Sequence, residues 1–170
     1  QSINQKNLNF QVEKVNLPAK PFRVLVQYKN IPTIYFNLIR PTEKMKEEWT
    51  DYGDENFWMN LVKATSFKSW QQELPVTNDL QQHSVEVKAD GLPMGEYILV
   101  ASTDKDFNIT STVMGARLFY VSNISFINNQ QHFFILHRET GQPLSGANMQ
   151  VWRQRYNYNT SRNIKERQGQ

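Results

Sequence analysis

The 170-residue chain has no cysteine. Disulfides, thiolate metal sites, a cysteine nucleophile and an internal thioester are therefore excluded from this stretch. No apolar run approaches the ~20 residues that a membrane-spanning helix needs. The first residues, QSINQKNLNF, lack the basic-then-apolar layout of a secretory leader, so if the protein is exported its leader has already been removed. There is no G-x-S-x-G and no glycine-rich phosphate loop. Histidine is scarce, with His83, His132 and His137 alone. The last two are five apart on one expected strand, which puts them on opposite faces and makes them poor partners for one metal. Glu47, Glu48, Asp51, Asp54 and Glu55 cluster around Gly53 but lack the D-x-[DN]-x-[DN]-G order of a calcium loop. They read as helix-start acids favoured by the dipole. No signal brings two carboxylates into one cleft for acid–base work. The sequence thus predicts no catalytic, cofactor-binding or metal-binding residue, and no enzyme.

Charge is unevenly placed. Residues 1–152 hold 14 Lys/Arg against 15 Asp/Glu, whereas Arg153, Arg155, Arg162, Lys165 and Arg167 face only Glu166 in the tail. The pI near 9.1 is a property of that tail. Basic residues beside Tyr156 and Tyr158 are ingredients of a nucleic-acid surface. They are scattered rather than gathered in a short basic run, so the tail reads as a solvated loop between strands and no nucleic-acid partner is expected.

Alternation of apolar and polar residues dominates the chain. Phe10–Val15 reads as a short first strand, interrupted by Leu17-Pro18-Ala19-Lys20-Pro21 because proline cannot donate to a ladder. Phe22–Tyr28 puts Phe22, Val24, Val26 and Tyr28 on one face. Thr33–Arg40 follows after a short link, so the two are expected to form a hairpin. Gln82–Ala89 alternates again, Asp90–Gly95 is a strong turn, and Glu96–Thr103 is apolar on both faces, as a central strand would be. Met114–Val121 closes the first unit.

Between these strands the texture changes. Pro41-Thr42-Glu43 opens a charged helical turn. Asp54 is an N-cap candidate for a helix over about 55–74. Trp58, Leu61 and Val62 fall at i, i+3, i+4, and Phe67, Trp70 and Leu74 at i, i+3, i+7. Thr65 and Ser66 between the stripes allow a break into two helices. Pro75 ends the region. The expectation is an antiparallel immunoglobulin-like β-sandwich over 1–122, mainly β, with a helical insertion at about 43–74.

The run HFFILHRETGQPLSGANMQVWR, His132–Arg153, reads as two strands around a turn, with Met149, Val151 and Arg153 on one face of the second. Strands are expected at 125–127, 132–138 and 148–153. Because the sequence stops soon afterwards, 123–170 is expected to be the opening of a second β-sandwich, cut from a longer protein. Unpaired edges and uncovered apolar faces there predict self-association through the C-terminal strands, docking on the first unit, or local mobility.

Lys68-Ser69-Trp70 is followed by the strand near His83 and Val85, the turn Leu92-Pro93-Met94-Gly95-Glu96-Tyr97, and the strand RLFYVSNI. In this order the signals resemble a macroglobulin-type domain of bacterial α2-macroglobulin-like proteins. The second unit resembles the family in its strand–turn–strand pattern around Thr140-Gly141-Gln142-Pro143-Leu144-Ser145-Gly146-Ala147. The resemblance covers most of residues 10–153. It implies a non-catalytic scaffold segment of an exported, multi-domain bacterial protein, periplasmic, bound to the cell envelope or extracellular, that meets proteases and has β-sandwich neighbours. Rival readings are a surface adhesion or glycan-binding module and an accessory domain of a larger exported enzyme. Trp58 and Trp70 follow the helical stripes and are expected in the core. Trp49 and Tyr52 are the candidates for an exposed contact patch. Asn108, Asn123 and Asn159 fit the N-glycosylation pattern, which has no consequence if the source is bacterial.

Overall fold

The computed structural model describes residues 5–51, 54–77, 79–110, 112–130, 132–157 and 162–167. The chain forms two compact units, Gln1–Asn123 and Ile124–Gln170.

In the first unit, β1 (Asn7–Val12), β3 (Phe22–Lys29) and β6 (His83–Ala89) make a three-stranded sheet in the order β1-β3-β6. Facing it is a five-stranded sheet in the order β2-β8-β7-β4-β5. It is built from β2 (Val15–Asn16), β4 (Thr33–Ile39), β5 (Ser66–Glu73), β7 (Gly95–Ser102) and β8 (Met114–Val121). Neighbours are antiparallel except the two-residue β2, which runs parallel to β8. The inward faces follow from period 2: Phe22, Val24, Val26 and Tyr28 of β3 meet Ile34, Phe36 and Leu38 of β4 and Tyr97, Leu99 and Ala101 of β7 in one core.

Two sequence expectations are corrected here. The strands 22–28 and 33–40 are not a hairpin: β3 and β4 lie in opposite sheets. Asn30 takes a left-handed conformation (φ +56°) and buried Ile31 follows it, so the link carries the chain across the core. Two strands with one apolar face each bury both faces by facing one another, which side-by-side pairing does not achieve. Likewise 66–74 is not helical. The helix stops at Lys63, and β5 pairs with β4 from Thr33↔Glu73 onward. The i, i+3, i+7 spacing of Phe67, Trp70 and Leu74 is coincidental, and the physical demand comes from β4. Its buried backbone needs partners on both edges, and β7 supplies only one.

The remaining helical segment is α1 (Glu43–Glu47), a 3-10 turn (Glu48–Asp51) and α2 (Glu55–Lys63). Thr42 caps α1 by accepting from the Met45 N–H, and Asp54 caps α2 by accepting from the Asn56 N–H at 2.8 Å. Phe57 and Leu61 of α2 are buried with Ile39, Ile98, Val100 and Ala116 on the outer face of the five-stranded sheet. This third layer is why β7, central as expected, is apolar on both sides. Lys46 donates to Glu96 at 2.6 Å and pairs with Glu43, also at 2.6 Å, tying α1 to the start of β7.

The turn into β7 is held by its tyrosine. Tyr97 is fully buried, and its hydroxyl donates to the Pro93 carbonyl at 2.9 Å. Gly95 has φ +156°.

In the second unit, β9 (Ile124–Asn129) and β10 (His132–His137) form a hairpin, extended by a bridge from Leu136 to Pro143. A second hairpin pairs β11 (Trp152–Asn157) with β12 (Arg162–Arg167). Two further expectations are corrected. The strand expected at 148–153 begins only at Trp152, because Asn148–Gln150 have no ladder partner despite their alternation. The tail expected to be a loop instead holds two strands, in a register that sets Arg153 opposite Glu166. Among the residues of this unit whose exposure is described, none is buried.

Candidate functional site

Of the two residues expected to form a contact patch, Trp49 is half-buried. Its ring meets Phe57 edge-on at 5.5 Å and packs on the cluster beneath α2. Tyr52 lies outside the described residues. Trp58 is half-buried beside Phe57 and lines an open groove of about 570 Å³ with Glu55, Ile109, Thr110, Thr112 and Met114. Trp70, expected in the core, is half-buried and packs against the main core from a strand: its ring stacks on Phe36 at 4.9 Å.

Of the histidines, His83 is held by a neighbouring carboxylate. His83 Nε2 lies 2.9 Å from an Asp79 carboxylate oxygen, and that hydrogen bond is the main reason the Asp79 carboxyl sits below its ordinary range. Its ring packs near Tyr28 at 6.0 Å. His132 and His137 stand at the two ends of β10. Among the described residues no group of three His, Asp or Glu side chains is placed to hold a metal ion.

One feature escapes the sequence reading altogether. On the flank of the sandwich, between β6 and β5, an apolar hollow of about 140 Å³ is lined by Phe22, Leu38, Trp70 and Leu92. Lys68 from β5 and Asp90 after β6 meet across its mouth at 2.5 Å. The Lys68 hydrogen bond is the main cause that holds the Asp90 carboxyl below its usual value. Reading 66–73 as a strand would have revealed it, since Lys68 and Trp70 then share the inward face. What these surfaces offer is binding area: apolar floor, ion-paired rim, and hydroxyls of an exposed loop.

A three-against-five antiparallel sandwich with helices on its outer face defines a β-sandwich module. Its fold is of macroglobulin type. The crystal structure of native alpha-2-macroglobulin from Escherichia coli spanning domains MG0-NIE-MG1 aligns with 81% of this chain at a TM-score of 0.53 and 15% identity. This chain spans about half (47%) of that structure. A CARDB domain of the PF1109 protein from Pyrococcus furiosus, solved in complex with di-metal ions, aligns with 69% of this chain and 86% of its own, at a TM-score of 0.34 and 14% identity. No protein-family model and no curated protein matches the sequence.

Proposed function

We propose that this chain is a non-catalytic structural segment of an exported α2-macroglobulin-like protein, and that the parent protein binds and restrains proteases. The observation that carries the reading is the fold shared with the Escherichia coli macroglobulin segment over 81% of the chain. It is supported by the composition of the first unit. Asp54 caps α2 and Lys46 pairs with Glu96, contacts that position elements rather than reactants. Consecutive β units suit a scaffold whose work is to hold neighbours at fixed spacing. No helix of the described residues is long and apolar enough to cross a membrane.

The test uses the full-length parent protein mixed with trypsin or elastase. The expected result is loss of casein digestion with retained cleavage of a small chromogenic peptide, because a trapped protease keeps its active site but loses access to large substrates. Undiminished casein digestion at excess parent protein would reject the reading.

The Trp58 groove supports a second reading, a glycan-binding module, since an aromatic face beside Glu55 and two threonine hydroxyls suits a sugar ring. Titration with soluble oligosaccharides, read by intrinsic fluorescence, separates the two.

A further inference from the structure

We propose that the outer edge of β6 is a docking site for an extended peptide, which adds a fourth strand to the three-stranded sheet and lowers one apolar side chain into the hollow beneath it. The inference stands apart from the proposed function above.

It rests on a mismatch between the two sheets. Three strands face five, and β2 is only two residues long. On the flank away from β1, strand β5 therefore reaches beyond β6. Its inward residues Lys68 and Trp70 remain half-buried, with the hollow above them. A sheet-to-sheet distance of about 10 Å and a strand spacing of about 4.8 Å leave one strand's width beside β6.

The two edges on this flank differ. β5 carries devices that discourage pairing: an inward-pointing charge, Lys68, and a register shift against β4 between Leu38 and Ile39. β6 has neither. Its inward positions Val85, Val87 and Ala89 are apolar, it contains no proline, and its ladder with β3 is regular over seven pairs. Among the described residues it has no second partner.

Charge selects the occupant. Lys68 and Lys88 flank the hollow with Asp90 as the single acid. On the outward face of β6, Arg23 is already paired with Glu86 at 2.7 Å, so Lys88, opposite Arg23 in the ladder, is the cation that a carboxylate of the occupant would meet. The Lys68–Asp90 contact is a surface pair, with side chains 40% and 73% exposed, and gives way readily to a competing carboxylate. The occupant is thus an extended segment alternating acidic and apolar residues. A second copy pairing through its own β6 would drive its overhanging β5 into this one, so the groove admits a strand and not a domain.

The experiment titrates the full chain into fluorescein-labelled Thr-Val-Glu-Leu-Glu-Val-Thr, followed by anisotropy. Two N-methylated versions of the peptide are compared, one blocked at odd amides and one at even amides. A strand uses only one edge to pair, so one version is expected to lose at least about tenfold in affinity while the other stays within about twofold. Lys88→Glu is expected to weaken the acidic peptide by about fivefold or more and to favour its lysine-substituted counterpart. Backbone amide shifts on binding are expected in 83–90. Absence of saturable binding, equal affinity of both N-methylated peptides, amide shifts confined to 124–137, or a dimer through β6 in sedimentation would each overturn the proposal.

Discussion

Ala19 and Gly91 meet backbone to backbone: a side chain on Gly91 would begin 2.5 Å from the Ala19 carbonyl carbon. The Ala19 N–H donates to the Leu92 carbonyl at 2.8 Å, so the loop before β3 is clamped to the loop after β6. Gly91→Ala therefore forces the two loops apart and is expected to cost about 2–3 kcal/mol, the scale of overpacking against rigid surroundings. Gly95→Ala has room, since the nearest atoms of Tyr97 lie 3.5 Å away, and pays only for its φ of +156°. About 1 kcal/mol is expected there. Urea denaturation of both variants checks the order, and a larger loss at Gly95 would contradict it.

Ala19 itself sits at φ +55°, a conformation that costs an L-residue roughly 1–2 kcal/mol. Ala19→Gly relieves that strain but loosens the unfolded chain, leaving a net gain of about 0.5–1 kcal/mol. A rise in the urea midpoint at unchanged slope is the expected readout.

Much of the fold was legible because burial enforces period 2. Phe22–Tyr28, the strand near His83 and Val85, and Met114–Val121 alternate, and the structure places them as strands. The Leu92–Tyr97 turn was legible too: Gly95 has positive φ and Tyr97 is buried. What a single sequence hides is partnership. Nothing local in Thr33–Ile39 tells whether it pairs with β3 or faces it, and β5 is a strand because β4 needs a second neighbour. The flank hollow was invisible for the same reason, since the spacing of Trp70 also fits a helix stripe. Trp49, a contact-patch candidate in the sequence, stands half-buried against Phe57, a position set by the meeting of three short helical pieces.

The helical layer is predicted to be integral to the sandwich rather than an ornament. Leu61 is fully buried between α2 and the sheet. Leu61→Ala is expected to destabilise the first unit by about 3 kcal/mol. Lys63→Ala, on the exposed side of the helix end, is expected to stay within about 0.5 kcal/mol. Similar midpoints for Leu61→Ala and the parent in thermal melts would detach α2 from the core.

Stability is expected to fall at both pH extremes. Hydrogen bonds to Glu43 and then Glu96 hold the Lys46 ammonium charged well above its ordinary 10.5. Burial, with Asp79 nearby, raises the Tyr28 phenol above 10.0. Groups raised on folding contribute fully below their unfolded values and lose that contribution as pH climbs, so stability should be flat to about pH 9.5 and drop above pH 10. Lys46→Met should make that alkaline drop shallower. Asp79, through His83, and Asp90, through Lys68, are lowered from 3.8. Their contribution is present above about pH 4 and lost as pH falls further. Urea midpoints measured from pH 2 to 11 report both limbs, and an alkaline limb unchanged by Lys46→Met would remove Lys46 from it.

The two units are built differently. The first closes a core around β7, while the described residues of the second expose Phe126 at 61% and Phe134 at 54%. Residue-resolved hydrogen exchange tests this contrast directly. Amides of 97–101, inside the central strand, are expected to exchange only through global unfolding, and those of 124–137 orders of magnitude faster, through local opening of a two-stranded hairpin. Equal protection of the two sets would show that the second unit has a core of its own and would contradict the description of one closed sandwich joined to an uncovered β unit.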